Sequence, residues 1–204
     1  MKQVPKRKLY FDSVSHFISE DRFHKFDWEE FYRDAKEEIT DDMTQPRGKP
    51  MSTHCFEDAD HASEKVTRQS QTGILVLCNR ATFMWLSKKN NSIETSTFGY
   101  EFTALKLAVE LVISLQYKLR MFGVPLEGPT NMLYEKYSVL KKKSTPESVF
   151  RKKHHSIAYH KCREAVAALI CRISKGDTDT NLADLFTNIL GYTRRECLLD
   201  LFDY

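Results

Sequence analysis

Several features that would narrow the function of this chain are missing from it. Its five cysteines, Cys55, Cys78, Cys162, Cys171 and Cys197, are odd in number and form neither a CxxC pair nor a Cys/His cluster. That pattern excludes a fully paired disulfide framework and gives no support to a zinc site. No apolar run approaches the roughly 18 residues that a membrane-spanning helix needs, and the opening MKQVPKRK is basic without the apolar stretch of a secretory signal. No membrane partner is expected, and a soluble protein of a reducing, intracellular compartment, cytoplasmic or nuclear, fits best. A strong charge bias is absent too: 31 Lys and Arg against 28 Asp and Glu leave a net +3, too little for bulk charge to select a polyanion. What is present is a 41% hydrophobic composition over 204 residues, sufficient for one domain with a packed interior.

Composition shifts along the chain. Residues 11–50 mix acids, bases and aromatics, as in FDWEEFYRDAKEEITDD, and end in TQPRGKP, where Pro46, Gly48 and Pro50 interrupt regular structure. We expect a partly ordered connecting segment over residues 1–50 and the main domain over 51–204. The aromatics Phe26, Trp28, Phe31 and Tyr32 suggest a short amphipathic helix docking on a surface, or else an anchor for a loop on its own domain.

Beyond Pro50 the pattern becomes that of strands and helices. STHCFED reads as a strand leading into an acidic turn, GILVLC as a buried strand, and TFMWLSKK as a third. From Phe98 the apolar residues Phe98, Phe102, Leu105, Val109 and Val112 recur at steps of four and three, which predicts a helix ending near Gly123. GPTNMLYEK supplies a fourth strand, HHSIAYHKCREAVAAL a second helix and ICRIS a further strand. TNLADLFTNIL opens on a Thr180 or Asn181 cap into a short final helix. The order predicts an α/β protein, a mixed sheet of about five strands with helices packed on it.

Four acids stand at the ends of these elements. Asp58 closes the first strand, Glu101 heads the inward stripe of the first long helix, Glu135 ends the fourth strand and Asp184 interrupts the apolar face Leu182, Leu185, Phe186, Ile189. Taken singly, each has an ordinary reading as a turn residue or as a carboxylate near a helix start.

Taken together, FEDADHASEKVTRQSQTGI, WLSKKN, TSTFGYEFTALKLAVEL, YKLRMFGVPLEGPTN, RKKHHSIAYHKCREAVAA and TNLADLFTNIL resemble, in order, the ribonuclease H region of copia-type retrotransposon Pol polyproteins. The resemblance covers about residues 45–204, and the segment before it looks like the connection that follows a reverse transcriptase. It implies a ribonuclease H-like fold that cuts the RNA strand of an RNA:DNA hybrid with two Mg2+ ions, or Mn2+ in their place. It also implies an upstream reverse transcriptase domain of the same polyprotein as a partner. By motif, the catalytic, metal-holding acids of the family fall on Asp58, Glu101, Glu135 and Asp184, with Asp60 as a further acid nearby. Two hard cations need several oxygen ligands gathered from separate elements, which accounts for acids at these places. Lys88, Lys89, Arg151, Lys152, Lys153 and His154 are the candidate nucleic-acid contacts, the run FRKKHH forming a local positive field that phosphates would feel.

The sequence also departs from the family pattern. Glu135 and Lys136 stand where copia-type sequences read Asp-Asn, Asn188 replaces a Lys, and Leu169 occupies the place of a Gly that would end the second helix. A left-handed Leu there costs roughly 1 kcal/mol. Lys136 places an ammonium beside cations it would repel. The departures leave two readings: an active hybrid nuclease, or a catalytically inactive nucleic-acid-binding or structural remnant. An integrase-like transferase shares the sheet topology but does not account for the NLADLF block.

Overall fold

The computed structural model describes residues 31–60, 70–90, 97–134 and 153–202, together with Phe23 and Trp28. Five strands, β1 (Thr53–Asp60), β2 (Gln71–Cys78), β3 (Ala81–Lys89), β4 (Thr130–Tyr134) and β5 (Cys171–Lys175), form one sheet in the order β3-β2-β1-β4-β5. β1 pairs antiparallel with β2, and β2 with β3, whereas β1–β4 and β4–β5 are parallel. The expected α/β class, a mixed sheet of about five strands carrying helices, is what the chain adopts.

The long helices are α1 (Thr97–Met121) and α2 (Lys153–Ala167); a 3-10 turn at Thr178–Thr180, the one-turn α3 (Asp184–Thr187) and α4 (Tyr192–Phe202) follow β5. Helices cover both faces of the sheet, and this explains why β2 reads as the unbroken apolar run GILVLC rather than an alternation. On one face Cys55, Ile74, Val76, Met132 and Ile173 meet the α1 stripe of Phe102, Leu105, Val109 and Val112 and the α2 residues Ala158, Tyr159 and Cys162. On the other, Phe56, Leu75, Leu77 and Leu133 meet Leu182, Ala183 and Leu198. Edge strand β3 alternates because its outer end is uncovered: Phe83 and Trp85 are exposed while Met84 and Leu86 pack inward. All five cysteines are free thiols.

Two local expectations hold. α1 ends at Met121, followed by Gly123 at φ +70°. α2 ends on a left-handed Leu169, at φ 54°, whose N–H bonds the Val166 carbonyl while that of Ile170 bonds the Ala165 carbonyl, both at 3.0 Å. Other expectations need correction. β1 does not give way to an acidic turn after Asp58; it continues through Asp60, because Gly73, Thr72 and Gln71 of β2 pair with Asp58, Ala59 and Asp60. The final helix of the NLADLF block is a single turn whose N-cap is Ala183, not Thr180 or Asn181. Asn181 instead accepts a bond from the Ala183 N–H (3.1 Å) and donates to the Glu57 carbonyl (3.2 Å), so it staples the loop to β1. Ile189, placed on the apolar face by spacing, is fully exposed past the helix end, and α4, with Leu198 as its buried residue, was not foreseen.

Of the aromatics before residue 50, Trp28 is buried in the α1/α2 core, with the Arg163 guanidinium 5.0 Å from its ring centroid, and the Tyr32 hydroxyl lies 2.6 Å from His160 Nδ1. Arg120 of α1 donates to both carboxylate oxygens of Glu37 (2.9 and 2.7 Å). Of the two readings of this aromatic cluster, Trp28 and Tyr32 support the anchor on the chain's own domain; Phe31 is exposed, and Phe26 lies outside the described residues.

Candidate active site

Strand alternation divides the acids of β1 between the two faces of the sheet. Glu57 shares its side with Cys55 and the α1/α2 core and is buried, whereas Asp58 shares its side with Phe56 and points toward α3. The Thr187 hydroxyl donates to Asp58 Oδ2 in a short hydrogen bond, and Asn188 Nδ2 donates to the same oxygen at 3.3 Å and contacts the Thr187 hydroxyl at 3.2 Å. α3 reaches the strand so closely because its neighbour in register with Asp58 is Gly73: a Cβ there would lie 2.7 Å from Thr187 Cγ2 and 2.8 Å from the Ala183 carbonyl oxygen. Gln71 Nε2 and the Ser87 hydroxyl both donate to the Phe186 carbonyl, at 2.9 and 2.7 Å, and tie the helix to β2 and β3.

Asp184 opens α3 and lies three residues from Thr187, hence on the same side of the turn. Its carboxylate is buried and accepts a charged hydrogen bond from Arg194 Nη2 of α4 at 2.7 Å. The same guanidinium donates to the Thr178 carbonyl at 2.6 Å and stands 3.5 Å from the exposed carboxylate of Asp179.

Glu101 comes from the opposite face. Gln116, in the second half of α1, donates to Thr130 Oγ1 (2.8 Å), which touches Thr53 Oγ1 (2.6 Å) at the start of β1. Ala104 packs on Ala59 at the strand's other end. α1 thus runs antiparallel to β1, and the buried Glu101, nearly one turn before Ala104, lies at the carboxyl end of the parallel strands. That edge is where open α/β sheets bind ligands. Tyr134, the last residue of β4, stands at this same edge; Glu135, Arg151 and Lys152 lie outside the described residues.

The fold therefore directs Asp58, Glu101 and Asp184 to one end of the sheet, the aspartates on one face and the glutamate from the other. Among the described residues, no three His, Cys, Asp or Glu side chains come together as a group that could hold a metal ion. Asp58 is engaged by a hydroxyl and an amide and Asp184 by a guanidinium; held this way, the described acids do not fit a pair of divalent ions. Sequence patterns gave no site role to Gly73, Thr187 or Arg194, and gave Asn181 only that of a helix cap. The i, i+3 spacing of Asp184 and Thr187 was visible, but Gly73 and Arg194 are drawn in by the tertiary contact of α3 and α4.

Among the basic candidates, Lys88 and Lys89 are exposed at the end of β3, pairing in register with Thr72 and Gln71. Lys89 alternates with Ser87 and so shares the face of Asp58, two strands away, a lateral distance of about 10 Å. Lys153 and His154 lie in the first turn of α2. A second buried polar group lies at the amino end of β1: His54 Nδ1 is 3.2 Å from Asn131 Nδ2, and Arg172 Nε donates to Asn131 Oδ1. Burial, and next the Arg172 charge, push the His54 pKa down to about 4.

No family model matches the chain. It is similar to curated proteins over about 70% of its length: 26% identical over 147 residues to the retrovirus-related Pol polyprotein from transposon RE1 of Arabidopsis thaliana, covering 72% of this chain. The match to the corresponding polyprotein from transposon RE2 of the same plant is 24% over 144 residues (71% of the chain), and that to transposon TNT 1-94 of Nicotiana tabacum is 26% over 147 residues (72% of the chain). The match spans about a tenth of the length of these relatives, 10 to 11%. Among solved structures, the N-terminal RNase H domain of rv2228c from Mycobacterium tuberculosis aligns with a TM-score of 0.48 at 10% identity, covering 74% of this chain and 96% of that one. The relatives bear out the resemblance to retrotransposon Pol polyproteins drawn from the six sequence blocks. Among the described residues no helix is long and apolar enough to cross a membrane.

Proposed function

We propose, starting from homologues that are retrovirus-related Pol polyproteins of transposons, that this chain is a ribonuclease H-like domain of a retroelement polyprotein, acting on RNA:DNA hybrids. Its proposed activity is hydrolysis of the RNA strand, with Mg2+ or Mn2+ as cofactor, Asp58, Glu101, Glu135 and Asp184 as the acids concerned, and the polyprotein's reverse transcriptase as the neighbouring domain. The observation that carries the reading is the placement of Asp58, Glu101 and Asp184, 126 residues apart at the extremes, at the carboxyl end of β1. Glu101 and Asp184 are buried there, at the desolvation cost that burial imposes on a carboxylate. Lys89, on the face of Asp58, supports a hybrid whose phosphates pass over β3. Preference for RNA would come from contacts to 2′-hydroxyls across the shallow minor groove.

A second reading, binding of the hybrid without cleavage, is favoured by the engagement of Asp184 with Arg194 and by Lys136 next to the third acid. Incubation with an end-labelled RNA:DNA duplex across a Mg2+ series, with fluorescence anisotropy on the same duplex, separates the two. Mg2+-dependent RNA fragments that D58N removes support the nuclease; saturable binding with no product supports the second. Neither binding nor cleavage at low salt would overturn both.

A further inference from the structure

The acids were expected to be ligands of divalent cations, yet one of them already has a cation of the protein's own. Asp184 is buried, and a buried carboxylate is costly unless a positive charge and hydrogen bonds compensate it. Arg194 supplies both, at 2.7 Å from Oδ2, and it is held in position by the Thr178 carbonyl at 2.6 Å and by the looser contact to Asp179. The neighbouring Asp58 has its Oδ2 engaged by Thr187, the last residue of the short helix that Asp184 begins, and by Asn188, which caps that helix.

We propose that Arg194 is the resident cation of this site: it neutralises Asp184 in place of a metal ion, which makes Asp184 a structural anion holding α4 to α3 and leaves divalent cations weakly bound. The inference rests on the ribonuclease H-like reading for its interest but not for its test. A metal that used Asp184 would have to displace a guanidinium from three contacts or sit beside it against charge repulsion.

The test is calorimetric titration of the whole chain with Mn2+, in wild type and in D184N, R194M, R194K and D184N/R194M, with urea denaturation of each. Wild type and D184N should bind Mn2+ equally weakly, while D184N lowers the urea midpoint. R194M should bind Mn2+ about tenfold or more tightly than wild type, since a buried carboxylate is then left for the ion to neutralise. R194K, which keeps the charge, should not gain, and D184N/R194M should lose the gain. If D184N weakens Mn2+ binding to the otherwise unchanged chain, Asp184 is a ligand and the proposal fails; this holds even where R194M does not fold. A folded R194M that gains nothing overturns it equally. Cleavage by wild type with loss of Mn2+ binding in D184N would sink this inference and keep the nuclease. A gain in R194M without cleavage by any variant would do the reverse.

Discussion

Gly73 offers the sharpest check on how the site is assembled. Glycine in a strand interior normally costs about 0.5–1 kcal/mol relative to alanine, so G73A would stabilise the chain if nothing were near. Something is near: the added Cβ would stand 2.7 Å from Thr187 Cγ2, 2.8 Å from the Ala183 carbonyl oxygen and 3.1 Å from Phe186 Cβ. The first of these lies roughly 0.8 Å inside the shortest favourable carbon–carbon separation, and the second is with backbone that no rotamer change removes. α3 must therefore retreat from β2, taking Thr187 from Asp58 and straining the bonds of Gln71 and Ser87 to Phe186. Two contacts under 3.0 Å, one of them with backbone, put the overpacking in the upper part of the usual ~1–3 kcal/mol, at about 2–3 kcal/mol, so after the gain from alanine the net effect should be a loss of about 1–2.5 kcal/mol. At a urea dependence of about 2 kcal/mol/M, the midpoint should fall by roughly 0.5–1.25 M. T187S deletes Cγ2 but keeps the hydroxyl for Asp58; combined with G73A it should recover part of the loss, with a coupling of at least about 0.5 kcal/mol. A G73A protein as stable as wild type, or more stable, would refute the close docking of α3 and with it the route by which Thr187 reaches Asp58.

Two further outcomes follow from other parts of the fold. His54, with an ordinary pKa of 6.5 lowered to about 4, stays neutral in the folded chain while the unfolded chain takes up a proton. Its contribution is fully present above pH 6.5 and is lost as the pH falls toward 4, by at most about 1.4 kcal/mol per pH unit and roughly 3 kcal/mol in all. Urea melts of wild type and H54Q should therefore differ most near neutrality and converge or cross by pH 4; a difference independent of pH would show that His54 protonates freely when folded. Trp28 is 4% exposed within the α1/α2 core, so W28A should lose about 3–5 kcal/mol in the same assay, and an unchanged midpoint would mean that the segment before residue 51 contributes nothing to the domain's stability.

Much of this architecture could be read from local patterns. Short apolar or alternating runs located β1 to β5, and helical spacing located α1 and α2, because each buries enough residues for its pattern to show. Leu169 was recognisable as a left-handed helix end because it stands where the family it resembles has a Gly. The region after β5 resisted the same treatment: α3 is four residues long, and α4 buries Leu198 but few others, so neither repeats a pattern often enough to be recognised. The acids of β1 show the same limit at a finer scale. Three carboxylates within four positions look alike in sequence, yet the pleat sends Glu57 to the α1 side and Asp58 to the α3 side.

By itself, then, the sequence determined the class of fold and the order of its elements through β5, because these depend on periodicity and on residue types that neighbours along the chain can reveal, while its resemblance to a family singled out the acids. Only the tertiary structure decided which acid faces which helix, that Gly73 is the gap α3 needs, and that Arg194 answers Asp184. These are properties of surfaces meeting across distances of ten to well over a hundred residues, where the partner of a charge is chosen by packing geometry and not by anything written beside it.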